Sequence, residues 1–435
     1  MNDSGDGQPP RKSRWGALRH RDFRLLWLGE TTSKLGSSMS IITMPLVAVA
    51  ILDASTFQVS ALAALTWLPW LLIGLPAGAW VDRMASRRVM LVCNMVSLVS
   101  FMSVPIAAWS GVLTIWQLMA AALVAGSAAV FFETAFQVYM PSLVPKEELV
   151  DGNAKLQGSA SAAYIAGPGA GGLLAQAVGA VWGMAADALS FLVSTACLLG
   201  IRSEAGRKRP TGRSSKSLVR DIGDGLRYVF GDTYLRVFTL NGAAANLSLQ
   251  GFNAVLVVFM VRELDVSPAA AGLTMAGTSL GGVLGAAAVP WVTRRFGSAR
   301  GLLIAQATAP FGLLIPMAGS GAGLLLVVVG GLLISLGVVV VSVIKRSFVQ
   351  EYCPRPMLGR VVVSMQFLNY GAIPVGALLG GGLSTVLGLR PTVWLMTGAF
   401  VLTTLMLLFS PVRRLRDLPG PSVEEADAGH QPVAP

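Results

Sequence analysis

Charge is scarce in this sequence. Asp, Glu, Lys and Arg make up 13% of its 435 residues, about half the share found in an ordinary soluble domain. So few charges exclude a soluble globular protein of this size, and residues 301–344 contain none at all. Histidine occurs only as His20 and His430, and cysteine only as Cys93, Cys197 and Cys353, with no C-x-x-C spacing. That argues against a disulfide framework and against a metal site. No H-E-x-x-H, no nucleophile elbow and no G-K-[ST] after a glycine run is present, so catalytic residues, a cofactor and a nucleotide site are all expected to be absent. The net charge is +11. Yet the basic residues sit in short clusters between apolar segments, not on one face of a domain, which excludes a nucleic-acid partner.

What is present is a succession of apolar segments, at 23–51, 58–81, 89–109, 112–139, 155–177, 180–201, 236–260, 268–292, 301–319, 322–344, 361–387 and 391–411. About 20 apolar residues span the roughly 30 Å hydrocarbon layer. Backbone groups in lipid need internal partners, so each segment is expected to be helical. Residues 1–22 are polar and lack a signal-peptide core, so the first span reads as uncleaved. Alternate loops, with both termini, hold 30 of the 33 Lys and Arg residues; the opposite loops hold only Arg262 and Arg390, and Lys34 lies inside the first span. The positive-inside rule then places both termini in the cytoplasm. The expected fold is an all-α membrane protein with 12 transmembrane helices. Its parts are a cytoplasmic tail (1–22), a six-helix bundle (23–201), a cytoplasmic linker (202–235), a second six-helix bundle (236–411) and a disordered cytoplasmic tail (412–435). Within the linker, Leu218, Ile222, Leu226 and Val229 fall at helical spacing and predict an amphipathic helix on the membrane surface.

The two bundles repeat. At a shift of 209 residues Pro145 meets Pro354, Gly167 meets Gly376, Gly171 and Gly172 meet Gly380 and Gly381, and Gly179 meets Gly388. At a shift of 211, Trp80, Val81 and Arg83 meet Trp291, Val292 and Arg294. Halves related by an axis along the membrane normal are a transporter architecture.

Two motifs carry a family resemblance. Residues 78–88 (GAWVDRMASRR) join the second and third spans and resemble the G-x-x-x-D-R-x-G-R-R signature of the major facilitator superfamily. Ala85 and Ser86 depart from it. The resemblance assigns Gly78, Asp82, Arg83, Arg87 and Arg88 to a gating loop; read by themselves, Arg87 and Arg88 serve equally as topology-setting charges. Residues 167–172 (GPGAGG) in the fifth span resemble the G-P-x-x-G-G signature of the family's antiporters, through Gly167, Pro168, Gly171 and Gly172. Small residues there also suit close helix packing. Residues 22–29, 186–192, 359–361 and 388–391 are similar to the enterobactin-exporter-like branch. Where the family's drug exporters often carry an arginine in the fourth span, Ala122 stands here.

Ionisable groups inside lipid are costly and usually functional. Glu30 and Lys34 lie one helical turn apart in the first span, Glu133 in the fourth and Asp187 in the sixth. They are the candidates for proton coupling, with Glu30 first; a structural Glu30–Lys34 pair, an interfacial Glu133 and a packing role for Asp187 are the alternatives. In the seventh span Asn246, Gln250 and Asn253 form one polar stripe, expected to line a substrate path, with Gln366 and Asn369 of the eleventh as further candidates. Trp67, Trp70, Phe131 and Phe132 read as packing residues. The resemblance implies a monomeric secondary exporter of small amphipathic molecules (drug, antibiotic or siderophore) in a bacterial inner membrane, working in exchange for protons. The alternatives are a proton-coupled uptake symporter and a non-transporting membrane sensor.

Overall fold

Proline positions and cap residues set where the helices break and begin. The computed structural model describes residues 16–81, 83–202 and 215–420. Among them every regular element is helical. In chain order the α-helices are α1 (Arg21–Ala50), α2 (Thr56–Leu72), α3 (Gly74–Val81), α4 (Ser86–Trp109), α5 (Ile115–Tyr139), α6 (Leu149–Val178), α7 (Ala180–Gly200), α8 (Ser215–Gly231), α9 (Thr233–Val258), α10 (Pro268–Phe296), α11 (Ser298–Gln306), α12 (Leu324–Tyr352), α13 (Arg355–Leu387) and α14 (Leu389–Leu408). Ser55 opens α2 with a reciprocal capping box to Gln58, and Ser267 caps α10 ahead of Pro268, each supplying an acceptor for orphan N–H groups.

Among the described helices nine are long and apolar enough to cross a membrane: α1, α4, α5, α7, α9, α10, α12, α13 and α14. Three apolar segments take other forms. The segment read as one span at 58–81 is broken between α2 and α3, and that at 301–319 ends as α-helix at Gln306 and goes on as a 3-10 turn over Ala309–Leu314. Each break falls four residues before a proline, Pro76 and Pro310, whose ring and missing N–H disrupt the preceding turn. The third, α6, starts at Leu149, earlier than the apolar stretch at 155.

The repeat recurs in the contacts. Gly167 and Gly171 of α6 lie against Ser38 and Met39 of α1, while Gly376 and Gly380 of α13 lie against Leu247 and Gly251 of α9. Gly172 lies against Pro268 and Gly272 of α10 in the other half, and Gly381 against Ser60 and Phe57 of α2 in the other half. Gly179 and Gly388 share a positive φ, 102° and 89°, at the α6–α7 and α13–α14 corners, a conformation open to glycine. A pair of buried polar pins follows the same symmetry. Asn94 Nδ2 of α4 donates to Ser194 Oγ of α7 at 2.9 Å, and Gln306 Nε2 of α11 donates to Thr403 Oγ1 of α14 at 3.0 Å. Thr403→Val should destabilise the protein by about 1–3 kcal/mol, because it leaves a buried amide without its partner. Adding Gln306→Leu should recover much of that, as read by thermal denaturation in detergent.

Three expectations shift. Lys345, assigned by sequence to a loop, lies inside α12; its Nζ donates to Asn241 Oδ1 of α9 at 2.5 Å and sits 5.6 Å from the Phe238 ring centre. The amphipathic helix exists as α8, and part of it packs on protein: Gly225 lies against Arg360 and Ser364 of α13, and Asp224 pairs with Arg360 at 3.7 Å. The tail expected to be disordered from 412 is seated as far as Leu418. Asp417 Oδ1 accepts from the Ser298 N–H at 2.9 Å, the Arg416 carbonyl from Ala299 and Arg300, and the Leu418 N–H donates to Ser298 Oγ. An exposed helix N-terminus recruits these acceptors. Residues 421–435 and the linker stretch 203–214 lie outside the described residues.

Candidate functional site

Polar contacts and close backbone packing between the halves gather at one end. There Arg262 Nη2 reaches Asp53 Oδ1 at 2.9 Å and the Ala54 carbonyl at 2.9 Å. Gln176 Oε1 accepts from the Ala269 N–H at 3.1 Å, capping α10 from across the interface. A Cβ on Gly172 would stand 2.5 Å from the Pro268 carbonyl oxygen and 2.8 Å from Gly272 Cα. Toward the molecule's middle, Trp67 and Trp70 meet Tyr370 of the other half at 6.4 and 6.0 Å between ring centres. At the opposite end, which carries the basic loops, a Cβ on Gly78, Gly158 or Gly359 would meet nothing within 4 Å. Between lies a cavity of about 800 Å³, in the size range of small-molecule sites.

The wall contributed by the first half holds all the formal charge. Lys34 Nζ lies 3.3 Å from Glu30 Oε1 on its own helix and 3.5 Å from Glu133 Oε2 on α5. One cation thus bridges two carboxylates, and all three residues face the cavity. Glu30 is buried because Gly29 lets α1 close onto α7 at Ser194 and Cys197. Asp187 of α7 also lines the cavity and is fully buried. It accepts from Ser40 Oγ at 2.5 Å, Ser190 Oγ at 3.3 Å and Ser37 Oγ at 3.4 Å. Among the described residues it has no cation at ion-pair distance.

The wall of the second half is neutral. Asn246, Gln250 and Asn253 line the cavity as one stripe, accompanied by Ser279 and Ser335. Asn369 is not in the cavity wall; its amide oxygen receives a bond from Asn246 Nδ2 at 3.3 Å. Gln366 is exposed and away from the cavity. Trp67, Trp70 and Phe132 line the cavity, whereas Phe131 stacks on Trp80 at 5.8 Å. The serines of α1 were missed by the sequence reading, though Ser33, Ser37 and Ser40 continue the helical stripe begun at Glu30. Tyr164 and Tyr370 carry no such periodic signal.

Of the gating-loop residues, Asp82 lies outside the described ones. Arg83 and Arg88 are exposed. Arg87 closes the end of α7, its Nε and Nη2 donating to the carbonyls of Leu198 and Leu199 at 3.0 Å each. Those orphan carbonyls at a helix C-terminus favour a cation. In the glycine motif, Gly167 and Gly171 hold α6 to α1, and Gly172 holds it to the other half.

The profile of a family described as transmembrane secretion effectors matches residues 12–427. The chain is 26% identical over 400 residues to the multidrug efflux pump Tap of Mycolicibacterium fortuitum, covering 91% of this chain and 96% of that one. It is 24% identical over 414 residues to the enterobactin exporter EntS of Shigella boydii, covering 94% and 96%. Its fold is similar to the crystal structure of the nucleoside transporter NupG, with a TM-score of 0.76 and 11% identity over 89% of this chain and 98% of that one.

Proposed function

We propose, since the chain belongs to the transmembrane secretion effector family of the major facilitator superfamily, that it exports small amphipathic molecules across a bacterial cytoplasmic membrane. The observation that carries this reading is a cavity between the halves, closed at one end by Asp53–Arg262 and Gly172–Gly272, while Gly78, Gly158 and Gly359 at the other end are uncovered. A site reachable from one side at a time is what alternating access requires. Twelve spans follow if α2 with α3, α6, and α11 with its 3-10 extension are added to the nine apolar helices. The unsealed end carries the basic loops, so by the positive-inside rule it faces the cytoplasm, and the geometry is that of loading from inside. Asp82 and its neighbours Arg83 and Arg88 belong to the gate on that side, and a monomer contains the whole path.

Protons supply the energy in this reading. A potential of about 100 mV contributes about 2.3 kcal/mol per charge. One pH unit contributes about 1.4 kcal/mol, and the sum supports a gradient of roughly 500-fold for a neutral substrate. Glu30, Glu133 and Asp187 are the carboxylates that face the cavity. The test uses inverted membrane vesicles containing the chain, a fluorescent dye substrate and an imposed pH gradient. Dye accumulation that needs no ATP and collapses with a protonophore is expected. ATP dependence, or net accumulation of the dye by intact cells, would overturn the reading in favour of another energy source or of uptake.

A further inference from the structure

A second hollow lies on the outer surface of the first half. It is a groove of about 610 Å³ along α4, turned away from that helix's cavity-facing residues Asn94 and Ser97. Its wall includes Val92, Met95, Val96 and Val99 of α4, with Thr195 and Leu199 of α7. The four α4 side chains are exposed and fall at i, i+3, i+4 and i+7, which is one helix face. Thr195 Oγ1 donates to the Phe191 carbonyl of its own helix at 2.8 Å, so its hydroxyl is satisfied within α7.

The groove runs to the basic end, and its mouth is cationic. Arg88 is exposed and stands one helical turn before Val92 on the same face. Beside it Arg87 Nε and Nη2 donate to the carbonyls of Leu198 and Leu199 at 3.0 Å each, and Arg21 Nη1 donates to the Gly200 carbonyl at 3.0 Å. These bonds gather guanidinium groups at the end of α7. Arg88 differs from its two neighbours: among the described residues it has no hydrogen-bond or ion-pair partner. The carboxylate described at this mouth is Asp22, paired with Arg21 at 3.6 Å, so positive charge is in excess. From Arg88 to Val99 is about 16 Å, eleven residues at about 1.5 Å each. One leaflet's share of the roughly 30 Å hydrocarbon layer is about 15 Å. A cationic mouth above an apolar groove one leaflet deep is complementary to an anionic head carrying an acyl chain.

We infer that this groove binds an anionic phospholipid of the leaflet at the basic end, its phosphate on Arg88 and one acyl chain along Val92–Val99. Arg87 and Arg21 add their field to the mouth while holding α7. The site is separate from the central cavity and does not depend on what that cavity carries. A lipid that merely fills the surrounding annulus would touch the same valines without preferring a negative head. The mouth supplies that preference, about fivefold for each arginine close to an anionic head. Arg413 and Arg414 provide the comparison: they are equally exposed but stand at the end of α14, in the other half.

The experiment uses the full chain, purified in a mild detergent and mixed with dioleoyl phosphatidylglycerol and dioleoyl phosphatidylcholine, with the retained lipid counted by native mass spectrometry. The tightest-held lipid should be phosphatidylglycerol, preferred by at least about tenfold. Arg88→Gln should lower its retention about fivefold. Val96→Trp fills the middle of the groove and leaves every arginine in place; it should lower retention about tenfold, the contribution of roughly two buried methylenes. Arg413→Gln with Arg414→Gln should leave retention unchanged, and glycerol phosphate, a head without a chain, should not displace the lipid. Equal retention of the two lipids by the unmodified protein overturns the inference, and that comparison needs no variant to fold. Retention that falls as far with the Arg413–Arg414 change as with Arg88→Gln overturns it in favour of diffuse charge. Retention that survives Val96→Trp, or that yields to glycerol phosphate, overturns it in favour of an annular chain or a bare phosphate site.

Discussion

Gly172→Val should abolish transport, lowering the export rate by more than about 100-fold at equal membrane abundance. Atoms in a well-packed interface have no slack, and overpacking typically costs about 1–3 kcal/mol when side chains yield. Here the neighbours of an added Cβ are backbone atoms, the Pro268 carbonyl oxygen and Gly272 Cα at 2.5 and 2.8 Å. Backbone in a helix cannot step aside, so the two halves must part at this end. A shift of about 5.5 kcal/mol is enough to invert a 99:1 preference between two states. Gly169→Ala is the control within the same motif: its Cβ would find Ala276 Cβ at 3.5 Å, an ordinary contact, and transport should persist. Maleimide labelling of Gly158→Cys at the unsealed end reports the conformational consequence. Wedging the sealed end apart should close the other and reduce labelling. A Gly172→Val protein that exports at the unmodified rate would show that this seal is not formed during transport.

That contrast shows how much of the site was legible in the sequence. The fixed glycines of the G-P-x-x-G-G signature are 167, 171 and 172, and these are the positions where a Cβ has no room; Gly169, at a free position, has room. The motif, the 209-residue repeat and the basic loops were all readable because each rests on a pattern with a period or a spacing. The breaks at Leu72 and Gln306 were not, because hydropathy runs unbroken across Pro76 and Pro310. Lys345 was placed in a loop because a charge usually ends an apolar run. What keeps it in α12 is a tertiary partner, Asn241, 104 residues away. Glu30 with Lys34 was legible from their four-residue spacing, but the bridge to Glu133 on another helix was not.

Lys34→Met should cause the largest loss of folded protein among single changes in the cavity. The substitution keeps the length of the side chain but leaves Glu30 and Glu133 facing each other without the ammonium that holds both. Removing one partner of a fully buried ion pair costs about 3–5 kcal/mol, because the remaining charge stays uncompensated. Glu30 is nearly buried, with 8% of its side chain exposed, while Lys34 and Glu133 are about one-third exposed at 34% and 33%. The cost should therefore fall toward the lower end of that range, still enough to halve or more the amount of protein reaching the membrane. The cause is charge, not shape, so neutralising the acids should repair it. Glu30→Gln with Glu133→Gln, added to Lys34→Met, should restore abundance and thermal stability to near the unmodified protein, a coupling that separate single changes would not reveal. If abundance stays low in the triple variant, the packing of the lysine stem matters more than its charge. The same variant separates structure from coupling. Reconstituted in proteoliposomes, it should still drive substrate uphill against a gradient in response to pH if Asp187, which the variant leaves untouched, is the carboxylate that exchanges the proton. Downhill flux that survives while uphill transport disappears would return the proton to Glu30 and make the triad the coupling site.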